Sequence, residues 1–523
     1  MKRLFSMLAT ALVSVSSVAQ YAWQEGGMPG RLDLGRDVHY KAEMQGSLSR
    51  GRTPLWLNAN KQGLSSLDKD NGYLRGQVVR PVDNDSARRW GVGYGVDMAV
   101  AAGYTSRVVV QQAFAEVRWL HGQLSVGAKE YPMELKNQRL SSGAQALGIN
   151  ARPVPQVRLA LPRYWTIPAL GRWVHLKGHI AYGLMTDDGW QHDFTGMKSK
   201  YSDHVRYHSK AGYVKIGSEE RFVPLSLELG FESAALFGGT SYTPDGNGVL
   251  SKIQNASGLK SYWRALIPGG GDAPEAGTAY QNEAGDILGS WLARLNYETD
   301  TWAIGLYADK FFEDHSSMFQ LDYDGYGTGK DWNVKKKTRF RLYEFKDWML
   351  GAELNVKYGK WLRGVVLEYL YSKYQSGPIY HDHSAGRSEH VGGEDNFYNH
   401  YIFTGWQHWG QVMGNPLYRS PLYNEDGTIE VKNNRSVAFH LGFDGQPTDR
   451  FGYRVLATWQ EGLGTYSDPY DKKHHNVSLM VEANYRLPKG WCVQGAYGMD
   501  FGHILGANAG FQFTVSKSGI FSL

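Results

Sequence analysis

The residues best equipped for chemistry are rings and imidazoles set among amides. Asp395 to Pro416 reads DNFYNHYIFTGWQHWGQVMGNP, with six residues of Phe, Tyr or Trp, two histidines and one charge. Such groups suit sugars: C–H faces stack on aromatic rings, and hydroxyls seek amides, imidazoles and charged groups. Tyr and Trp add apolar area with a polar handle and few rotors. Trp263, Trp332, Tyr380, Tyr398, Trp406, His408 and Trp409 all fall in long polar connections and are the candidate polysaccharide-binding residues. Only a few would carry most of the energy.

Signals for other chemistry are weak. No HExxH, Walker A loop, GxSxG elbow or CxxC occurs, so no catalytic residue and no cofactor is expected. GYGTGKDW (Gly325 to Trp332) would need Gly at Asp324 and Ser or Thr at Asp331 to cradle phosphate. His381 to His383 and His474-His475 lack metal-ligand spacing and read as solvated loop histidines. DKDNG (Asp68 to Gly72) and DYDG (Asp322 to Gly325) miss the calcium-loop register and read as tight turns.

The elements that must position these residues are strands. In Val174 to Leu184, Val174, Leu176, Ile180, Tyr182 and Leu184 alternate with His175, Lys177, His179, Ala181 and Gly183. That is the period of a strand, with one apolar face. Leu225, Leu227, Leu229 and Phe231 likewise oppose Ser226, Glu228, Gly230 and Glu232, and the pattern returns at Val437–Phe443, Val477–Tyr485 and Ala509–Val515. A sandwich's polar face favours charge; this one is rich in Gly, Ser and Ala, as the interior of a wide barrel would be. His175, Lys177, His179, Glu228, Glu232 and Arg294 would line that lumen.

The N-terminus MKRLFSMLATALVSVSSVAQ has a basic start, an apolar core too short to span a bilayer, and Ser17-Val18-Ala19. It reads as a secretory signal peptide (1–19) cleaved after Ala19. No later apolar run reaches 18 residues, so no membrane helix is available. Cys492 is the only cysteine, which excludes an intramolecular disulfide and a lipoprotein anchor. The net charge of +5 falls once Lys2 and Arg3 are removed, too weak to argue for nucleic acid.

Tight connections such as Leu120–Gln123, Thr299-Asp300 and Leu487–Gly490 alternate with long polar segments such as Thr186–His208, Phe237–Leu288, Phe312–Lys346 and Ser372–Arg435. Short periplasmic turns and long extracellular loops mark an outer-membrane barrel of a Gram-negative bacterium. The fold class is all-β: a transmembrane antiparallel β-barrel occupying 20–523, with 20–72 including a small periplasmic or plug segment. Strands are predicted near 38–48, 73–80, 91–101, 107–119, 124–130, 155–166, 173–185, 209–217 and 225–236. The rest lie near 289–298, 301–311, 347–358, 361–373, 434–444, 451–461, 475–486, 491–500 and 508–516, a total of about 18. Trp119, Tyr297, Trp302, Trp361, Tyr371, Trp459, Tyr485 and Trp491 fit interfacial girdles. Asp395–Pro416 lacks clean alternation, and one strand there would reverse the next, so it belongs to an outer loop or over the barrel mouth.

Five segments carry a resemblance. TPLWLNANKQGLSS (Thr53 to Ser66), GINARPVPQVRLALPRYWTIPALG (Gly148 to Gly171), FFEDHSSMF (Phe311 to Phe319), YEFKDWMLGAEL (Tyr343 to Leu354) and Asp395 onward through GNPLY to Tyr418 resemble, in that order, signatures of capsule assembly proteins of the Wzi type. The resemblance spans most of the chain. It implies eighteen strands, no catalytic residues, and a lectin that holds exported capsular polysaccharide on the cell surface. Enterobacterial members also carry a periplasmic helical bundle, yet Gln20–Asp37 and Gly51–Gly72 show no 3.6-residue apolar stripe, and Phe521 stands two residues short of the end. The expected partners are capsular or other exopolysaccharide and outer-membrane lipid, with the protein a monomer. A wide lumen leaves a porin or transporter for sugars or other small solutes as the alternative.

Overall fold

The computed structural model describes residues 33–521 apart from 219–222, 246, 268–269, 275–280, 284, 314–319, 324 and 342–345. The signal-peptide expectation therefore lies outside the described residues. Eighteen antiparallel strands close one barrel: Val38–Arg50, Asp70–Arg80, Trp90–Ala102, Val108–Trp119, Gly122–Ala128, Gln156–Thr166, Val174–Leu184, Arg206–Ile216 and Leu225–Phe237. The remaining nine are Asp286–Glu298, Trp302–Glu313, Trp348–Val356, Gly364–Tyr371, Ser436–Gly445, Phe451–Gly464, Pro469–Arg486, Trp491–Gly502 and Asn508–Phe521. Each predicted strand has its counterpart, with ends that differ by up to six residues, the largest difference being the start of Pro469–Arg486, expected at 475. The first strand pairs with the last from Val38↔Phe521 to Arg50↔Ala509, so no sheet edge is left open.

Burial is inverted relative to a water-soluble fold. Leu74, Val100, Leu159, Ile180, Leu306, Leu367 and Phe511 are exposed on the outer face. Ser47, Asp97, Glu116, Ser209, Asp309, Glu368, Thr458 and Asp500 are buried on the inner one. A strand in a bilayer barrel must do this, because lipid solvates the apolar face and the interior solvates the other. The girdle aromatics Trp119, Tyr297, Trp361, Trp459, Tyr485 and Trp491 are all exposed, and Trp302 packs 5.7 Å from Tyr297. One end of the barrel carries short turns; the other carries the long connections 51–69, 129–155, 185–205, 238–285, 314–347 and 372–435.

Leu367 sits in mid-strand opposite Ala352 and Leu441 and is 54% exposed. Leu367→Arg should cost about 2–4 kcal/mol of stability in vesicles, as a charge facing the bilayer interior does. Urea unfolding followed by heat-modified gel mobility would check this; an unchanged midpoint would put the residue outside the bilayer.

Candidate functional site

Three long connections turn back into the barrel and fill its long-loop half. The first, 51–69, carries a single buried helical turn, Leu55–Asn58, whose first amide is held by the Asp500 carboxylate (3.1 Å). Trp56 beside it donates its indole N–H to Thr458 Oγ1 (3.1 Å). The second, 129–155, crosses the lumen. Lys136 pairs with Asp309 on the wall (2.6 Å), both fully buried. Ser141 and the Ser142 amide donate to Glu368, which also accepts from Tyr307. Leu140 O reaches the His440 ring at 2.8 Å. Gly442 makes that approach possible: a Cβ there would lie 2.3 Å from Leu140 O.

The third connection, 372–435, contains Asp395–Pro416 and is the centre of the plug. Tyr398, Trp406 and His408 are 1%, 1% and 2% exposed. The Trp406 indole donates to Ala146 O (2.9 Å), and Tyr398 Oη donates to Gln145 O while accepting from the Asn415 amide (2.9 Å). Gly414 is required here, since a Cβ would meet Tyr398 Oη at 2.0 Å. The three connections lock together through Gln62 N–H to Ile149 O (2.7 Å), Gly148 N–H to Met413 O (2.9 Å) and Gln411 Nε2 to Ser65 Oγ (2.9 Å).

The expected binding surface is thereby corrected. Tyr398, Trp406 and His408 face the plug interior, where their polar atoms are taken up by backbone, so a glycan has no access to them in this arrangement. Trp409 is half-buried beneath the Arg152 guanidinium, 4.2 Å from its ring. Trp263 and Trp332 are exposed on outer loops, Trp332 packing 5.5 Å from His383. Tyr380 stands on the strand Ser376–Ser384, and its side chain lies outside the described residues.

The six lumen residues all sit on the inner face and are held by neighbours. His175 contacts Thr166 and Gly217 O (2.9 and 3.0 Å), and Lys177 pairs with Glu134 of the crossing connection. His179 contacts Ser209 (3.1 Å). Glu228 accepts from Tyr164 and Asn296 (2.6 and 2.9 Å), and Glu232 from Tyr213 (2.7 Å). Arg294 pairs with Glu353 (2.9 Å) and donates to Leu135 O. A cavity of about 90 Å³ remains between plug and wall, near His179, Tyr213 and Glu232.

Among the described residues, an open concavity at the long-loop end lies elsewhere: a cleft of about 650 Å³ between the first connection, the segment 419–432 and the turn after Gly502. Arg52 and Arg419 flank the Tyr423 ring, 5.6 and 5.8 Å from its centroid, and both donate to Tyr423 O (2.8 Å each). Arg52 also pairs with the exposed Glu425 (2.8 Å), and Lys432 with Asp426. Partial burial would raise the Asp426 carboxyl, but hydrogen bonds from Lys432 and Thr428 outweigh it and hold the group at about 2. Beside the cleft, Tyr470 stacks on His474 (4.2 Å), which lies 5.7 Å from His503. Sequence reasoning missed this set because its members are scattered from Arg52 to His503. Only His474 had drawn notice, as half of a histidine pair.

No family model and no curated protein matches the chain. Among solved structures it is similar to Wzi, an outer membrane protein involved in group 1 capsule assembly in Escherichia coli and described as a carbohydrate-binding β-barrel. The TM-score is 0.56 at 13% identity, over 94% of this chain and 86% of that one. OprD of Pseudomonas aeruginosa (TM-score 0.41, 8% identity, 93% and 95% covered) and OccAB4 of Acinetobacter baumannii (0.41, 10%, 93% and 99%) also align. At these identities the likeness to Wzi is one of fold.

Two outcomes follow for the plug. Tyr398→Phe leaves the Asn415 amide without its acceptor and should cost about 1–3 kcal/mol in denaturant unfolding. The His408 ring nitrogens lie 2.8 and 2.7 Å from the carbonyls of Arg152 and Thr186, and burial holds its pKa below the usual value. The unfolded chain then binds a proton that the folded one resists, so stability should fall as pH drops below about 6.5. A His408→Gln variant should show a shallower fall between pH 7 and 5; an identical slope would remove His408 from the effect.

Proposed function

We propose that this chain sits as a monomer in the outer membrane of a Gram-negative bacterium. There it binds an exported polysaccharide and attaches it to the cell surface during capsule assembly. The observation that carries this reading is the plug. An eighteen-stranded wall encloses room for a channel, yet its long-loop half is packed with hydrogen-bonded side chains whose loss would leave buried polar groups unpaired. That argues against a porin and for a surface that binds. The carbohydrate-binding description of Wzi, the similar fold, agrees with it.

The cleft around Arg52, Tyr423 and Lys432 is the site we assign to the glycan. Its ion pairs lie at a solvent-exposed rim, where they contribute little to stability and can exchange partners with hydroxyls or carboxylates. The Tyr470–His474 stack offers a ring beside them for a sugar C–H face.

Purified protein should retain capsular polysaccharide in a pull-down and show no large, stable openings in planar bilayers. Lys432→Ala combined with Tyr470→Ala should weaken retention at least about tenfold, or about 1.4 kcal/mol, as loss of an anchor does. Porin-like conductance with no retained glycan would overturn the function; undiminished retention by the double variant would overturn the location.

A further inference from the structure

Not every long connection folds inward. Residues 238–285 carry a helix, Leu259–Leu266, that packs against the outside of the barrel. Tyr182 donates its hydroxyl to Tyr262 O (2.8 Å), and Lys210 donates its ammonium to Ala265 O (2.9 Å). Ala265 is buried with Ala235, Phe237 and Ile287, and the Tyr262 ring lies 5.3 Å from Tyr182 and 5.1 Å from Phe237. Tyr182, Lys210, Ala235, Phe237 and Ile287 all occupy the outward-facing parity of their strands.

The helix has a second apolar stripe that the barrel does not cover. Leu259 and Trp263 lie one turn apart on one side of the helix and Ile267 follows as its C-cap; the three are 89%, 61% and 53% exposed. Lys260 and Arg264 stand next to that stripe, and Lys252 is exposed on the preceding strand Leu250–Gln254. A helix with an apolar stripe bordered by cations is the composition of an element lying in a membrane interface.

Its height on the wall agrees. The band starts at the short-turn end, where Leu225 pairs with the girdle residue Tyr297. Ten residues separate Leu225 from Ala235. At about 3.3 Å per residue and the usual strand tilt they rise about 25 Å, the height of a lipid-facing band. The helix therefore rests at the upper edge of that band. Outward-facing charge appears at the same height elsewhere: Glu461, ten residues above Phe451, is bracketed by Lys373 and Lys473 (Lys473 at 3.2 Å).

We propose that the Leu259–Leu266 helix is a lipid-binding collar of the outer leaflet: Leu259, Trp263 and Ile267 insert among acyl chains while Lys260, Arg264 and Lys252 meet phosphate-bearing headgroups. The apolar stripe stands at the upper edge of the lipid-facing band, so its occupant is the same lipid. The collar fixes the height of the barrel and keeps the long-loop face clear of the bilayer.

The test uses the full-length chain in a Cys492→Ser background, with single fluorophore-labelled cysteines at Leu259→Cys, Trp263→Cys, Leu229→Cys as lipid control and Glu425→Cys as water control. In phosphatidylcholine–phosphatidylglycerol vesicles, chain-brominated lipid should quench the labels at 259 and 263 as it quenches 229. Aqueous iodide should quench only 425. If 259 and 263 instead follow 425, the collar does not touch lipid and the proposal falls. Raising the anionic lipid fraction should strengthen quenching at 263, and Lys260→Gln with Arg264→Gln should abolish that response. An equal response in the double variant would overturn the headgroup role.

Discussion

A barrel of eighteen strands encloses more space than the side chains of its own wall can fill. Everything placed inside must satisfy its backbone groups there or remain in water. The inward-folded connections are the answer adopted here, and acidic wall residues are the fixed points that hold them. Asp500 receives the amide of the buried turn, Asp309 receives Lys136, and Glu368 receives Ser141, Ser142 and Tyr307. Each carboxylate would be costly if left alone in this interior, and each is matched by donors from a connection.

That arrangement separates the two ends of the molecule by role. The plug takes aromatic side chains that would otherwise be obvious ligand platforms and turns them into packing. Trp406 and Tyr398 close on Ala146 and Gln145, so the crossing connection and the central one stabilise each other. The cleft above is assembled from what is left at the surface, chiefly arginines braced on Tyr423 and exposed ion pairs. Cleft residues can change partners without opening the core, whereas plug residues cannot.

The outer face obeys a different solvent. Its exposed leucines, valines and aromatic girdles make sense only against lipid, and the helix at the upper edge extends the same chemistry onto a loop. The connections 129–155 and 238–285 differ in what their sequences can pair with. The former meets wall carboxylates inside; the latter offers Tyr262, Ala265 and Trp263 to apolar surroundings outside.

The sequence by itself determined the strands, their number and the face each residue takes. Alternation is local, and the bilayer selects it at every position, so Val174–Leu184 and Leu225–Phe237 could be read without reference to any other segment. The inward parity of His175, Lys177, His179, Glu228, Glu232 and Arg294 was legible for the same reason. The fate of Tyr398, Trp406 and His408 was not. Their burial depends on contacts with residues about 220–260 positions away, such as Ala146, Gln145, Arg152 and Thr186, and no local period records those contacts. The cleft, built from Arg52, Tyr423, Lys432 and His503, exists only after the barrel closes and the connections fold over it. Only the tertiary structure could decide which rings pack the barrel and which groups remain to meet a ligand.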